Sequence, residues 1–300
     1  MTMPQHTAMT KSWRIGEMTV HQVAEVPLRG FGRWLLPQAT PEVVAETPWL
    51  HPSYADAEGQ LLGSVNAFAV EIGGRRVLVD TAVGNDKSRP FPAWDHLTTP
   101  FMEALAAVGF TPENVDLVIN THFHADHVGW NTRLVGDTWQ PTFTNARYVS
   151  SQAEHDYWAG IELSDDEREM FQDSIEPVRA SGRLTPVEVP ADGTVVTPGV
   201  RLLPAPGHTP GQSLVRLESG GRSAVISADC MHHPVQFVRT AMCSTVDVDP
   251  DQATRTRQAL FSELAKDDTV LFGSHFDGTV AGLVQRDGDS YRFSPVDPSV

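Results

Sequence analysis

Four side chains able to ligate a metal crowd into the stretch Thr121-His122-Phe123-His124-Ala125-Asp126-His127, directly after the apolar run Val115-Asp116-Leu117-Val118-Ile119. The run reads as a strand, so the ligands would stand at its end. A lone histidine after a strand is ordinarily a hydrogen-bonded core or surface residue. Three imidazoles this close would repel one another as cations and would be poorly solvated if buried without an ion. Imidazole with carboxylate suits zinc, manganese, iron or cobalt, and no thiol lies nearby to close a structural zinc site. The motif therefore points to catalysis and requires a fold that brings further ligands to the same strand end.

Three candidates follow downstream. Pro206-Gly207-His208-Thr209-Pro210-Gly211 sets a histidine in a Gly/Pro-rich turn where backbone can approach an ion closely. Asp229 follows the apolar run Ser223-Ala224-Val225-Ile226, and His275 follows Leu271-Phe272-Gly273-Ser274. With His122, His124, Asp126 and His127 they would complete a set of five histidines and two aspartates.

On these residues the chain resembles the metallo-β-lactamase superfamily, whose His-x-His-x-Asp-His signature is matched by His122, His124, Asp126 and His127. Val77-Leu78-Val79-Asp80-Thr81 looks like the family's buried strand ending in an aspartate that orients a ligand. The resemblance implies that His122, His124 and His208 hold one metal. It also implies that Asp126, His127 and His275 hold a second, with Asp229 bridging. It further implies a four-layer αββα sandwich, two mixed sheets face to face with helices outside, a choice among α/β folds that composition cannot make. True β-lactamases of the family lack a bridging aspartate and are usually exported. The likeness is closer to the N-acyl-homoserine lactonase and methyl-parathion-hydrolase branch, on three grounds: the extension before Val65, the segment Asp80-Thr81-Ala82-Val83-Gly84-Asn85, and Met231-His232-His233-Pro234. Trp130 and Asn131 depart from the second glycine that many relatives carry.

The remaining sequence bounds this reading. A length of 300 residues, 40% of them hydrophobic, supports one large core, and the candidate ligands run from His122 to His275. Residues 59–300 are expected to form the catalytic domain. Residues 1–58 are too irregular for a domain of their own and are expected to pack on it or on a partner subunit. A net charge of −16 disfavours nucleic acid as a partner. No apolar stretch approaches the ~20 residues needed to cross a bilayer, and no signal-peptide core is seen, so a cytoplasmic enzyme is expected. Cys230 and Cys243 are expected to be buried thiols, with Cys230 turned away from the metals.

Local signals suit a layered α/β domain. Val65 to Ile72, Gly73-Gly74 and Arg75 to Asp80 read as one hairpin; Ser213 to Glu218 and Arg222 to Ala228 read as another. Helices are predicted over Pro100 to Val108 after Thr99, over Asp165 to Ala180 with a Ser164/Glu167 capping box, and over Pro250 to Lys266 with Asp249 as cap.

The expected chemistry is hydrolysis by two divalent ions, zinc first among the candidates and Mn2+, Fe2+ or Co2+ the others. Such ions lie about 3.5–4 Å apart and bridge a hydroxide that needs no Ser or Cys nucleophile. Asp126 would pass a proton to the leaving oxygen. A lactone or carboxylic ester is the expected substrate. Phosphotriester hydrolysis, a glyoxalase II-like thioesterase and a non-catalytic metal-binding protein stay open as alternatives. Phe91, Trp94, Trp130 and Phe123 are candidates for an apolar pocket, Tyr54, Tyr148, Tyr157 and Tyr291 for oxyanion donors, and one of His232 and His233 for a place facing the site. Trp34 to Tyr54 would expose much apolar surface alone, so a homodimer with this arm closing the pocket is expected.

Overall fold

The Gly73-Gly74 hairpin forms where the alternating runs predict it, from β3 (Leu62–Ile72) and β4 (Arg75–Val79), in the computed structural model that describes residues 9–299. Two strands precede it, β1 (Met9–Ile15) and β2 (Met18–Arg29), and β5 (Leu117–Ile119) follows. After a small separate hairpin, β6 (Thr132–Val135) with β7 (Thr138–Pro141), come β8 (Arg147–Ser151) and β9 (Leu184–Val187). The first sheet has the order β1-β2-β3-β4-β5-β8-β9, antiparallel up to β4 and parallel beyond it.

The second sheet runs in chain order: β10 (Thr194–Thr197), β11 (Val200–Pro204), β12 (Ser213–Ser219), β13 (Arg222–Ile226), β14 (Val270–Phe272), β15 (Ala281–Asp287) and β16 (Ser290–Pro295). Only β13 and β14 pair in parallel. Helices flank the two sheets, as a four-layer sandwich requires.

Packing follows from the two-residue period of a strand. Val77 and Val79 face the second sheet, in one cluster with Phe68, Ile119, Val215, Ile226 and Phe272, while Leu78 between them joins Phe101 and Leu105 on the helical side. With both faces covered, β3 is buried along nearly its whole length, Ser64 and Asn66 included. Each such fully buried Val or Phe contributes on the order of 1.5–3 kcal/mol.

The expected boundary at 58/59 marks no break in the fold. Described residues of that segment begin at Met9, and β2 is paired with β3 over most of its length, Val20 opposite Val70. Two strands of the main sheet thus come from the supposed extension. The chain from Phe31 to Tyr54 then runs in short helical turns and buries Leu35, Leu36, Val44, Leu50 and Tyr54 in the larger apolar cluster. Most of its apolar side chains are covered by its own subunit, with Trp34 left 42% exposed.

The predicted helices form with shifted ends. Asp249 caps Pro250–Leu264 by accepting from the Gln252 amide at 2.9 Å. Phe101–Ala107 starts at Pro100 without a side-chain cap, because the Thr99 hydroxyl donates instead to the buried Glu25 carboxylate. The Ser164/Glu167 capping box is present, but its helix widens into a π turn at Phe171–Ile175, just before Pro177, which lacks an N–H to donate. That turn drives Asp173 inward, where it pairs with Arg89 through two contacts of 2.7 and 2.9 Å and with Lys87 at 3.3 Å.

Candidate metal centre

The site lies where both sheets end. Beyond β5 the chain places His122 and His124, and one helical turn, Ala125–Val128, adds Asp126 and His127. From the second sheet come His208 in the turn between β11 and β12, Asp229 in a 3-10 turn after β13, and His275 after β14. The His208 turn depends on glycine: Gly207 has φ +136°, and a Cβ there would meet the Ala253 amide at 2.3 Å. Asp80 and Ala228 hold left-handed φ values of 55° and 45°, which non-glycine residues rarely adopt.

All seven predicted residues meet. His122, His124, His208 and Asp229 form one group and Asp126, His127 and His275 another, with potential ligand atoms inside each group no more than 4.8 Å apart. Asp229 faces both. Its Oδ2 lies 3.4 Å from His208 Nε2 and 3.9 Å from His122 Nε2, while Oδ1 lies 3.2 Å from His127 Nε2 and 3.0 Å from His275 Nε2. Asp126 Oδ2 stands 3.6 Å from His275 Nε2.

The donor set suits cations. Imidazole nitrogens converge at 2.9 Å between His208 and His124, 3.1 Å between His122 and His124, and 3.2 Å between His127 and His275. Asp229 Oδ1 is buried without a well-aligned hydrogen bond. Nitrogen and carboxylate donors turned inward on one another fit divalent ions, and the outer contacts fix which nitrogen turns in. His127 Nδ1 contacts Asp80 at 2.8 Å, His208 Nδ1 contacts Asp247 at 2.9 Å, and His275 Nδ1 lies 3.3 Å from the Ser64 carbonyl. Asp80 also accepts from the Thr121 amide and hydroxyl, so one carboxylate ties the end of β4 to the signature loop.

Charge is divided unevenly. Burial, with neighbouring imidazoles, pushes His122 and His124 well below the usual histidine range. Burial acts the same way on His127, yet Asp229, Asp80 and Asp126 outweigh it and hold His127 well above that range. Burial would raise Asp229, but His275 and His127 hold it well below the usual carboxylate range. Asp229 is thus held as the carboxylate and demands positive charge beside it.

A cavity of about 230 Å³ opens above the cluster. Its floor is His124, Asp126, His208, Asp229, His232 and His275; its walls are mostly apolar, from Leu28, Phe31, Trp34 and Leu35 on one side and Phe91, Trp94, Trp158 and Met170 on the other. Trp34 stacks on Phe91 at the mouth, 5.3 Å between centroids. The arm therefore builds part of the pocket.

Of the four aromatic candidates, Phe91 and Trp94 line the cavity. Trp130 is core, stacked on Phe101 and donating to Glu25 at 2.6 Å, and Phe123 is fully buried against Phe171. No tyrosine lines the cavity; Tyr54 and Tyr148 spend their hydroxyls on the carbonyls of Thr279 and Asn131. The neighbours His232 and His233 diverge as alternation predicts. His232 faces Asp229 at 3.2 Å with neither nitrogen hydrogen-bonded, and His233 contacts the Tyr54 carbonyl in the arm. Cys230 is buried in the larger apolar cluster, whereas Cys243 is only half-buried, on a loop where its thiol meets Thr254.

Sequence reasoning missed Asp247, Glu25 and Glu154, since nothing local marks a carboxylate whose partner is distant in the chain. Asp247 shares its loop with Thr245, whose amide and hydroxyl donate to the carbonyls of Leu35 and Trp34, so the loop that holds His208 also holds the pocket wall.

The chain belongs to the metallo-β-lactamase superfamily, whose family model matches residues 61–275. It is 28% identical over 173 residues to the N-acyl homoserine lactonase AiiA of Bacillus thuringiensis subsp. kurstaki, a match covering 57% of this chain and 60% of that one. Among solved structures it resembles the hydrolase AbOPH of the β-lactamase superfamily, with TM-score 0.79, 24% identity, and coverage of 99% of this chain and 100% of that one. It also resembles AidC, a dizinc quorum-quenching lactonase in complex with a product, with TM-score 0.79, 19% identity, and coverage of 97% and 98%. No helix among the described residues is long and apolar enough to cross a membrane.

Proposed function

We propose that the chain is a metal-dependent hydrolase that opens a lactone or cleaves a carboxylic ester bearing an apolar tail. The observation that carries this is Asp229 presenting separate oxygens to two ligand groups on the floor of an apolar cavity. His122, His124 and His208 would hold one ion and Asp126, His127 and His275 the other, with Asp229 common to both and zinc the first candidate. Bound divalent ions supply Lewis acidity and a water acidified to near neutrality. The names of the relatives, lactonases and hydrolases, support the substrate class.

The chain's own groups divide the rest of the work. The apolar walls seat the tail and exclude water. Asp126, whose side chain is 14% exposed and lines the cavity, can take the attacking water's proton and pass it to the leaving oxygen. His232 offers an uncommitted imidazole to a carbonyl oxygen beside Asp229. Asp80 and Asp247 hold two of the histidines in register.

A panel of acyl-homoserine lactones, γ- and δ-lactones, aryl esters, methyl parathion and a cephalosporin tests the reading on one metal-replete sample. A lactone or ester should be best and the cephalosporin weak. If methyl parathion or the cephalosporin leads, the substrate class is wrong. Metal analysis should give close to two ions per chain, and chelation should abolish turnover; about one ion with full activity would sink the two-ion assignment.

The wall makes its own prediction. Trp34→Ala removes one half of the stack at the mouth, an interaction of roughly 1 kcal/mol beyond its buried area. KM should rise roughly tenfold for substrates with long tails, tenfold being about 1.4 kcal/mol. Short lactones should change little, and equal effects on both would refute a tail-binding wall.

We also propose a homodimer in the cytoplasm. Leu134 and Val135, 40% and 44% exposed on the β6–β7 hairpin, offer apolar surface for a partner, and two free cysteines suit a reducing compartment. A monomer mass by light scattering at micromolar protein would exclude the dimer.

A further inference from the structure

We infer that Glu154 is a positioning residue that fixes the spacing of the two loops supplying His122, His124 and His208, and with them one wall of the pocket. The inference rests on the metal-centre reading above. Glu154 is fully buried in the first turn of the helix Gln152–Gly160. Its Oε1 accepts from the Phe123 amide at 2.9 Å and from Trp158 Nε1 at 2.7 Å; its Oε2 accepts from the Thr209 hydroxyl at 2.6 Å.

Each partner belongs to a different part of the site. Phe123 lies between His122 and His124. Thr209 follows His208. Trp158 lines the cavity and meets His124 edge-on, 5.9 Å between centroids. The backbone repeats the junction: Ser151 caps the helix by accepting from the Glu154 amide and donates to the Gly211 carbonyl. A Cβ on Gly211 would fall 2.0 Å from the Glu154 amide nitrogen, so the His208 turn is seated directly on this first helical turn.

Stability alone does not account for a buried acid here. No Lys or Arg forms an ion pair with Glu154 among the described residues, and a carboxylate buried among neutral donors is costly. Three donors converge on one acid; an amide of the same shape would put an N–H where the Thr209 hydroxyl now donates and force that hydroxyl to turn its proton elsewhere. Burial raises Glu154 above the usual carboxylate range, and the Thr209, Phe123 and Trp158 donors, with His208 last, pull it part of the way back. Asp80 braces His127 to β4; Glu154 is its counterpart for the other ligand group, bridging the first sheet's signature loop and the second sheet's His208 turn.

The test uses full-length protein carrying Glu154→Gln, which keeps shape, and separately Thr209→Val, which keeps the charge and removes one bond. Stepwise Co2+ titration of the chelated proteins gives two affinities, assigned to the two groups with His208→Ala and His275→Ala as references. In Glu154→Gln the step lost in His208→Ala should weaken by about 10- to 100-fold, the range for residues that orient ligands. The other step should stay within about twofold. Thr209→Val should shift the same step less. Hydrogen exchange of the metal-free proteins should rise at 121–125 and 206–212 in both variants, with unchanged thermal midpoints. Equal affinities and unchanged exchange in Glu154→Gln would overturn the inference, as would a uniform loss at both steps. If the parent binds two ions yet turns over no lactone or ester, the proposed activity fails while Glu154 keeps its role.

Discussion

Asp229→Ala is expected to lower kcat/KM by at least about 10³-fold, because losing a single transition-state electrostatic contact already costs about 10²–10³ and this residue faces both ligand groups. Its two oxygens lie 3.0–3.4 Å from His127, His208 and His275, so truncation removes the one carboxylate shared between them. The bound-metal count should fall together with activity. The same carboxylate holds His127 and His275 above the ordinary histidine range against burial, so its loss also removes the counter-charge for the histidines that remain. Metal analysis and steady-state kinetics on the same preparation decide the matter. Two ions and full activity in Asp229→Ala would show that another residue joins the groups.

The second large effect is on stability. Asp173→Ala leaves Lys87, with a fully buried side chain, and Arg89, with its side chain 2% exposed, without their counter-ion, and breaking a buried pair this way costs about 3–5 kcal/mol. For a domain of this size that is a fall of roughly 10 °C in Tm. The loss should depend on pH. Burial, partly offset by Asp173, lowers the Lys87 pKa from 10.5 to about 8 in the native protein. Between those two values the unfolded chain binds the extra proton, so stability rises with pH in that window. Without Asp173 the folded-state value drops further and the window opens at lower pH. The deficit of the variant relative to the parent should therefore shrink as pH is raised from about 6 to 9. Urea unfolding across that range measures it; a deficit under about 1 kcal/mol at pH 6 would mean that the three charges do not act as a unit.

Much of the centre was legible because its ligands announce themselves locally. The signature residues sit within one loop, and His208, Asp229 and His275 each end a strand or occupy a glycine turn. Gly73-Gly74, Ser164 with Glu167, and Asp249 likewise act on their immediate neighbours, and the hairpin and caps they predict are present. What sequence did not reveal depends on contacts made across the fold. Glu25 enters the core through a register shift in β2 between Ala24 and Val26, a bulge with no composition signal, and from there claims Thr99 and Trp130. The π turn at Phe171–Ile175 interrupts a helix whose pattern reads as continuous. Phe31 and Trp34 reach the pocket only because β1 and β2 are strands of the main sheet, a pairing that proline-rich surroundings disguised.

The division of the candidate ligands between the sheets would give any bound ion a second job. Each group takes members from both halves of the molecule: His122 and His124 with His208 and Asp229, and Asp126 and His127 with His275. Any cation held there is a fastener across the seam of the sandwich. Its grip adds to folding stability in proportion to RT ln(1 + [L]/Kd), about 2.7 kcal/mol at a hundredfold excess over Kd. Starvation for metal would then act on the protein twice, first by silencing it and then by letting its two halves drift apart, which would make turnover of the protein itself a readout of metal supply.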